Sequence, residues 1–169
     1  MSTAPMSIPV GVVVERYKAT SPWIDYTWRP VAVLPDAPAA QPWTVLHEDK
    51  ETATFYAGAA AIELHRTETA NYRDNLASGS PGLWVVLRQT GSEPPYSVFT
   101  VTADPAEGEA MTEAGSDLVE QVAMPGSICE KVATFVAEHH VEREFVKRKR
   151  ERADPEALAR RGGKREDLE

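Results

Sequence analysis

The stretch IPVGVVV, residues 8–14, decides the fold class of this chain. It is dominated by β-branched residues, which favour extended backbone. Its apolar side chains recur at every second position: Ile8, Val10, Val12 and Val14. This period of two predicts a β-strand with one face in the core, extending to about Tyr17. A turn is expected in the residues ATSP that follow, 19–22.

The next stretch, SPWIDYTWRP at residues 21–30, is rich in aromatic residues. Read as a strand, it places Ile24, Tyr26 and Trp28 on a core face. Its opposite face carries Trp23, Asp25 and Arg29 among polar residues. We predict these three as an interaction surface, because Trp and Arg dominate interface energetics. The alternative is that a neighbouring loop or helix covers Trp23. Pro30 is expected at a bend or on an edge strand.

Further strands are predicted by the same alternation, and two loops by their turn residues. The strands are expected at 31–34, 43–49, 52–58, 83–89, 96–104 and 117–124, and the loops at 35–42 and 71–82. The segment 59–66 fits either a strand or a helical turn. The links between strands are short, which favours antiparallel pairing, because parallel strands need long crossover connections.

The C-terminal region has helical periodicity instead. An apolar stripe runs through Ile128, Val132, Phe135, Val136 and His139. Ser127 and Glu130 have the spacing of a capping box. The fold class is therefore α+β: a curved antiparallel sheet, or a partly open barrel, of about six strands with one long C-terminal helix packed on it. We expect a single domain over residues 1–150, with strands in 8–124 and the helix over 127–150. Residues 151–169 form a charged tail, as a short helix or disordered.

Charge and cysteine content restrict the classes of function. The net charge is −8 over 169 residues. Residues 147–169 carry +3 and residues 1–146 carry −11, so nucleic-acid binding by the body is not expected. A single cysteine, Cys129, permits no intramolecular disulfide and fits a reducing compartment. The chain shows no secretory leader and no membrane-spanning apolar run, so we expect a cytoplasmic protein without membrane contact.

Reactive side chains are few and dispersed. His140 and Glu144 lie one helical turn apart beside His139, but no second cluster completes a metal site, so these three are weak metal candidates. Cys129 in the first helical turn could become nucleophilic, although a lone cysteine beside an apolar stripe is more often a buried hydrophobe. No catalytic motif is found. We expect no catalytic residues and no cofactor, and an enzyme is the less favoured interpretation.

Two further groups of residues are candidates for binding. The basic run Lys147, Arg148, Lys149 and Arg150 could contact an acidic partner, or could be the solvated end of a helix. Tyr26, Trp28 and Trp84 could line a small-ligand pocket between a curved sheet and its helix.

Four segments carry a resemblance to a known family: SPWIDYTWRP, NLASGSPGLWVVLR, FTVTADPAEGE, and EQVAMP with VATFVAEHHVEREFVKRKR. Over nearly the whole chain, the sequence resembles a proteobacterial family classified as a domain of unknown function. Genes of that family typically lie beside those of a molybdenum- or tungsten-dependent formate dehydrogenase. No functional residues can be carried over from it.

The resemblance implies a role in making or operating formate dehydrogenase. One cysteine cannot by itself ligate an iron–sulfur cluster, which usually takes four thiolates, and no nucleotide-binding fingerprint is present. The expected role is therefore a non-catalytic accessory or assembly protein. It would contact a formate dehydrogenase subunit or one of its maturation proteins.

Overall fold

The computed structural model describes residues 5–140. This part of the chain contains seven strands and three α-helices. The strands are β1 (Met6–Lys18), β2 (Tyr26–Leu34), β3 (Thr44–Glu48), β4 (Thr52–Leu64), β5 (Gly82–Gln89), β6 (Tyr96–Thr102) and β7 (Leu118–Ala123). The helices are α1 (Thr69–Leu76), α2 (Pro105–Ala114) and α3 (Gly126–His139), and a 3-10 turn, Arg66–Glu68, precedes α1. No helix within residues 5–140 combines the length and the apolar character that crossing a membrane requires.

The strands form two antiparallel sheets, where a single sheet was expected. One has the order β2-β1-β4-β3 and the other β6-β5-β7. β6 lies close to β4, and β7 lies close to β2. However, no hydrogen-bonded ladder joins the two sheets within the described range, so the barrel is not closed. The α+β class and the antiparallel pairing are confirmed, whereas the single sheet with one long helix is not.

Irregularities in β1 and its neighbours bend the larger sheet. The register shifts between Val13 and Val14 on the β2 side, and Pro30 pairs with Val14 at this shift. Proline tolerates this position because β2 has only one hydrogen-bonded neighbour in its sheet. On the other side, β4 runs unbroken through the segment predicted as ambiguous. Gly58 there adopts φ +146°, a conformation that favours glycine, beside the second register shift.

The core lies between the sheets and is closed by α3 and α1. It includes Ile8, Val10, Val12 and Val14 from β1, Leu83, Val85 and Leu87 from β5, and Ile128, Val132, Phe135 and Val136 from α3. The predicted strand and the predicted helical stripe therefore meet in one cluster. This burial of apolar side chains is the main source of stability, at about 25 cal/mol per Å². The expected continuation of the helix to residue 150 lies outside the described residues.

The start of α3 differs from the predicted capping box. Pro125 is the cap residue, and no side-chain hydrogen bond caps the helix. Ile128 and Cys129 instead donate their backbone N–H groups to the Pro125 carbonyl oxygen. The prediction for Ser127 was wrong because the helix begins at Gly126, two residues earlier than a box with Ser127 as its cap requires.

Two helices were not predicted. α1 replaces the first half of the expected loop at 71–82, and tertiary contacts hold it in place: Tyr72 and Asn75 are buried. α2 begins after Asp104, whose side chain accepts a hydrogen bond from the Ala106 N–H at 2.9 Å. Pro105 occupies the first turn, so the N-terminal signature was present in the sequence.

Candidate interaction surface

Trp23 stands at the tip of the turn between β1 and β2 and is 90% exposed. The turn is closed by a backbone bond from the Ala19 N–H to the Asp25 carbonyl at 3.2 Å. Within it, the Trp23 N–H donates to Ser21 Oγ at 3.2 Å. Backbone and side-chain hydrogen bonds therefore define the turn, while the Trp23 indole has almost no contact with the fold.

Ile24, beside Trp23, is 56% exposed. Its predicted place on a core face was wrong because the chain is still in the turn, and β2 begins only at Tyr26. Tyr26 lies at the rim of the inner face and is 39% exposed. Trp23, Ile24 and Tyr26 are thus three exposed apolar side chains within four positions, and we call them the Trp23 surface. Patches of this kind mark interaction sites when they are fixed by the fold.

Behind the Trp23 surface lies a cluster of aromatic rings at one end of the core. Trp28 is its centre: the Trp28 ring lies 5.8 Å from that of Trp43, 5.8 Å from Phe55 and 6.3 Å from Tyr96. Trp43 and Phe55 are 5.7 Å apart. We call these four residues the aromatic cluster. Such ring pairs add about 0.5–1.5 kcal/mol each beyond the area they bury, so the cluster is a rigid base.

Arg16 lies between the aromatic cluster and the Trp23 surface. It follows Val14 on the inner face of β1 and pairs in register with Trp28 on β2. Its guanidinium carbon is 4.3 Å from the centroid of the Tyr26 ring, 5.7 Å from that of Trp28 and 5.3 Å from that of Phe55. These distances are within the range of cation–π attraction, so Arg16 holds the first residue of β2.

The edge strand β3 supplies the acidic neighbour of Arg16. Glu48 Oε2 is 3.7 Å from Arg16 Nη2, and the Glu48 side chain is 59% exposed. The exposed apolar residues Val45 and Leu46 lie on the same strand. A register shift between Val45 and His47 leaves Leu46 unpaired with β4, which is a common device against edge-to-edge association.

The turns at this end of the larger sheet lie side by side. The Lys18 N–H at the end of β1 donates to the Glu51 carbonyl in the β3–β4 turn at 3.0 Å. In the same turn, Asp49 Oδ1 accepts from the Thr52 and Glu51 N–H groups, and these bonds lower the pKa of Asp49 below its ordinary value. This keeps a fixed negative charge at the rim.

Asp25 and Arg29 were predicted to accompany Trp23. Asp25 is exposed and closes the turn through its backbone carbonyl. Arg29 lies on the opposite face of β2 from Trp28, where Nη2 is 3.2 Å from Glu15 Oε1 and the guanidinium covers the Tyr17 ring at 5.5 Å. Arg29 thus already has an anionic partner and an aromatic neighbour.

The predicted pocket residues are divided by the fold. Tyr26 and Trp28 both contact Arg16, whereas Trp84 points away from the core and packs against α2. There the Trp84 ring covers Gly108, and a Cβ added to Gly108 would lie 2.3 Å from the Trp84 ring. Three open surface depressions have volumes of about 390, 420 and 450 Å³, and none of these three is lined by Tyr26, Trp28 or Trp84.

Two of the three weak metal candidates, His139 and His140, lie at the end of α3. The His139 ring packs on Phe135 at 4.6 Å, and His140 Nδ1 is 3.1 Å from Thr69 Oγ1. Glu144 lies outside the described residues, as does the basic run 147–150. Within residues 5–140, no three His, Cys, Asp or Glu side chains are grouped so that they could hold a metal ion. Cys129 is half-buried, with its Sγ 3.8 Å from the Met124 carbonyl oxygen.

The site also contains three residues that were not predicted for it: Arg16, Glu48 and Trp43. A signal existed for Arg16, because it continues the alternation of Ile8 to Val14 onto the core face, where an arginine is unexpected. Trp43 had no such signal. It follows the Pro-rich loop at φ +68°, an uncommon conformation for a non-glycine residue, and this geometry directs its ring to Trp28.

The chain was compared with protein-family models, curated proteins and solved structures, and only the family models gave a match. No curated protein and no solved structure matches the chain. The family model described as Protein of unknown function (DUF3305) matches residues 9–149, which include every described strand except the first residues of β1, and all three helices. The chain therefore belongs to this family of proteins of unknown function, DUF3305.

Proposed function

We propose that this protein is a non-catalytic accessory protein that binds another polypeptide through the Trp23 surface. The observation that carries the proposal is the 90% exposure of Trp23 in a turn with defined hydrogen bonds. An indole exposed to water adds almost nothing to the stability of the fold. The burial of an indole in a partner's pocket is among the strongest single contributions to binding free energy.

The surroundings of Trp23 support the same role. Tyr26 and Arg16 connect the turn to the aromatic cluster, so the surface is presented on a rigid support. A preorganised surface loses little conformational entropy on association. The partner we propose is formate dehydrogenase, either a subunit or one of its maturation proteins, as the family resemblance implies.

Affinity purification from cells that express the dehydrogenase tests both parts of the proposal. Wild-type protein is expected to recover a formate dehydrogenase component. Trp23→Ala should weaken binding of that component by about 30-fold or more, the effect of losing a 2 kcal/mol hot spot. Trp23 has almost no contact with the fold, so the melting temperature should stay unchanged.

The matched control is Phe99→Ala. Phe99 is another exposed aromatic residue, but it lies on β6 beneath Arg88. This variant should recover as much dehydrogenase as the wild type. Recovery of no dehydrogenase component by wild-type protein would show that the partner is wrong. Equal recovery by wild type and Trp23→Ala would show that the surface is wrong.

A further inference from the structure

The Arg16 guanidinium is a partly buried cation whose hydrogen bonds are incomplete. Nε is buried and has no hydrogen-bond partner within the described residues. Nη2 lies 3.7 Å from Glu48, which is within ion-pair range but beyond hydrogen-bond distance. A quarter of the Arg16 side chain remains exposed. The aromatic rings around it attract the charge, but they do not replace oxygen acceptors.

The contrast with Arg88 shows what is missing. Arg88 also covers an aromatic ring, with its guanidinium carbon 3.5 Å from the Phe99 centroid. It forms two parallel hydrogen bonds to Asp117, of 3.1 and 3.0 Å. Arg16 has the aromatic neighbours of such a site without the bidentate carboxylate.

A partner that covers the Trp23 surface would also cover Arg16, because Tyr26 belongs to that surface and stacks on the guanidinium. A guanidinium that a partner covers completely must be paired and hydrogen-bonded, because an unpaired charge removed from water strongly opposes binding. Glu48 does not supply those hydrogen bonds, because its carboxylate oxygen stays 3.7 Å from Arg16 Nη2.

We propose that Arg16 is the receptor for a carboxylate of the partner protein, which replaces Glu48 at the terminal guanidinium nitrogens. This rests on the proposed function, since it names the polar contact at the centre of the same interface. The planar fork of arginine matches a carboxylate, and the Tyr26 ring, 4.3 Å from the guanidinium carbon, restricts the positions that the fork can take. The competing arrangement is that Glu48 itself closes on Arg16 when the partner covers both.

One substitution distinguishes these arrangements, because it strengthens binding in the first and weakens binding in the second. Glu48 is exposed, so Glu48→Gln should fold normally. If a partner carboxylate replaces Glu48, removing the competing charge strengthens binding of purified formate dehydrogenase about twofold to fivefold. If Glu48 is the acceptor in the complex, the same variant weakens binding, and the proposal is overturned. Glu113→Gln on the exposed side of α2 is the control, because it changes the net charge equally.

Substitution of Arg16 completes the series. Arg16→Gln should weaken binding about tenfold or more, and Arg16→Lys should restore only part of the loss, because a lysine has no fork. Arg88→Gln should bind like the wild type. Normal binding by Arg16→Gln together with weak binding by Trp23→Ala would overturn the carboxylate receptor and leave the proposed interface standing.

An acetate titration of the isolated protein decides the case without the dehydrogenase. The nitrogen-15 NMR signal of the Arg16 Nε–H group is followed against chloride at equal ionic strength. Acetate should shift this signal saturably, with tighter binding in Glu48→Gln than in the wild type, while the Arg88 signal stays constant. If acetate leaves the Arg16 signal unchanged in both proteins, Arg16 is not a carboxylate receptor, whatever the partner.

Discussion

The side-chain amide of Asn75 in α1 forms a reciprocal pair of hydrogen bonds with the backbone of Gly82 at the start of β5. Its Nδ2 donates to the Gly82 carbonyl at 2.8 Å, and its Oδ1 accepts from the Gly82 N–H at 3.0 Å. Nδ2 also donates to the Ala103 carbonyl at 3.0 Å. One buried side chain thus joins α1 to the start of β5 and to the residue that follows the adjacent strand β6.

Asn75→Ala should lower the free energy of unfolding by about 2–4 kcal/mol, because three hydrogen bonds are lost and buried backbone groups are left without partners. Urea denaturation measures this change. Ser92→Ala in the exposed β5–β6 loop is the control and should change the stability by less than about 0.5 kcal/mol. An Asn75→Ala protein as stable as the control would show that water replaces the amide.

Gly108→Ala should destabilise the protein by about 1–3 kcal/mol, because the added methyl group meets the Trp84 ring and forces α2 away from β5. Gly126→Ala is its matched control. Both glycines lie in helices, but nothing lies within 4 Å of a Cβ at Gly126, which is the first residue of α3. The control should be neutral or slightly stabilising. The melting temperature should therefore fall clearly in Gly108→Ala and should stay the same or rise slightly in Gly126→Ala.

The pair Arg88–Asp117 should make stability fall in acid. The hydrogen bonds from Arg88 lower the pKa of Asp117 below its ordinary 3.8. The carboxylate therefore stabilises the fold above the unfolded pKa, and this contribution is lost as pH falls through the lowered value. Melting temperatures of wild type and Asp117→Asn should differ most near neutral pH and converge below 3.8. A constant difference across this range would contradict the linkage.

Tyr72 should make stability fall in alkali. Burial, with the negative charges of Asp104, Glu68 and Glu107, raises the pKa of Tyr72 from 10.0 to about 12, and the hydrogen bond from the His65 N–H opposes the rise. The folded state thus holds the proton more tightly. The resulting stability is present below pH 10.0 and is lost as pH rises through about 12.

Tyr72→Phe has no such proton. The variant should be about 1 kcal/mol less stable near neutral pH, because it lacks the bond from the His65 N–H. It should then lose less stability than the wild type between pH 10.0 and about 12. Denaturation curves at several pH values measure both effects. If both proteins lost stability equally over this range, the pKa of Tyr72 would be the same in the folded and unfolded states, and the prediction would fail.

The amphipathic patterns were the reliable part of the sequence. The alternation through Val10 and Val12 predicted β1, and the stripe through Val132 and Phe135 predicted α3. Each pattern repeats several times along its element, and in both cases the apolar residues that form it are buried in the core. Expectations that depended on one or two residues did less well: the capping box at Ser127 is absent, and Ile24 lies in a turn.

α1 shows why the rest could not be read from local sequence. Its residues TANYRDNL include two asparagines and an aspartate, which favour turns over helix interiors. The helix forms because Tyr72 fills the core against Phe135 at 6.2 Å and Asn75 bonds to β5. These partners are distant in sequence, and their contribution exceeds the weak local preference.

By itself, the sequence determined the α+β class, the antiparallel pairing and the apolar faces of β1 and α3, because side-chain periodicity follows directly from backbone geometry. Only the tertiary structure decided that the strands divide into two sheets, that Trp84 lies apart from Trp28, and that Arg16 lies beneath Tyr26. These contacts depend on the register shifts in β1 and on the course of the loops. They join residues that are distant in sequence, so no local pattern predicts them.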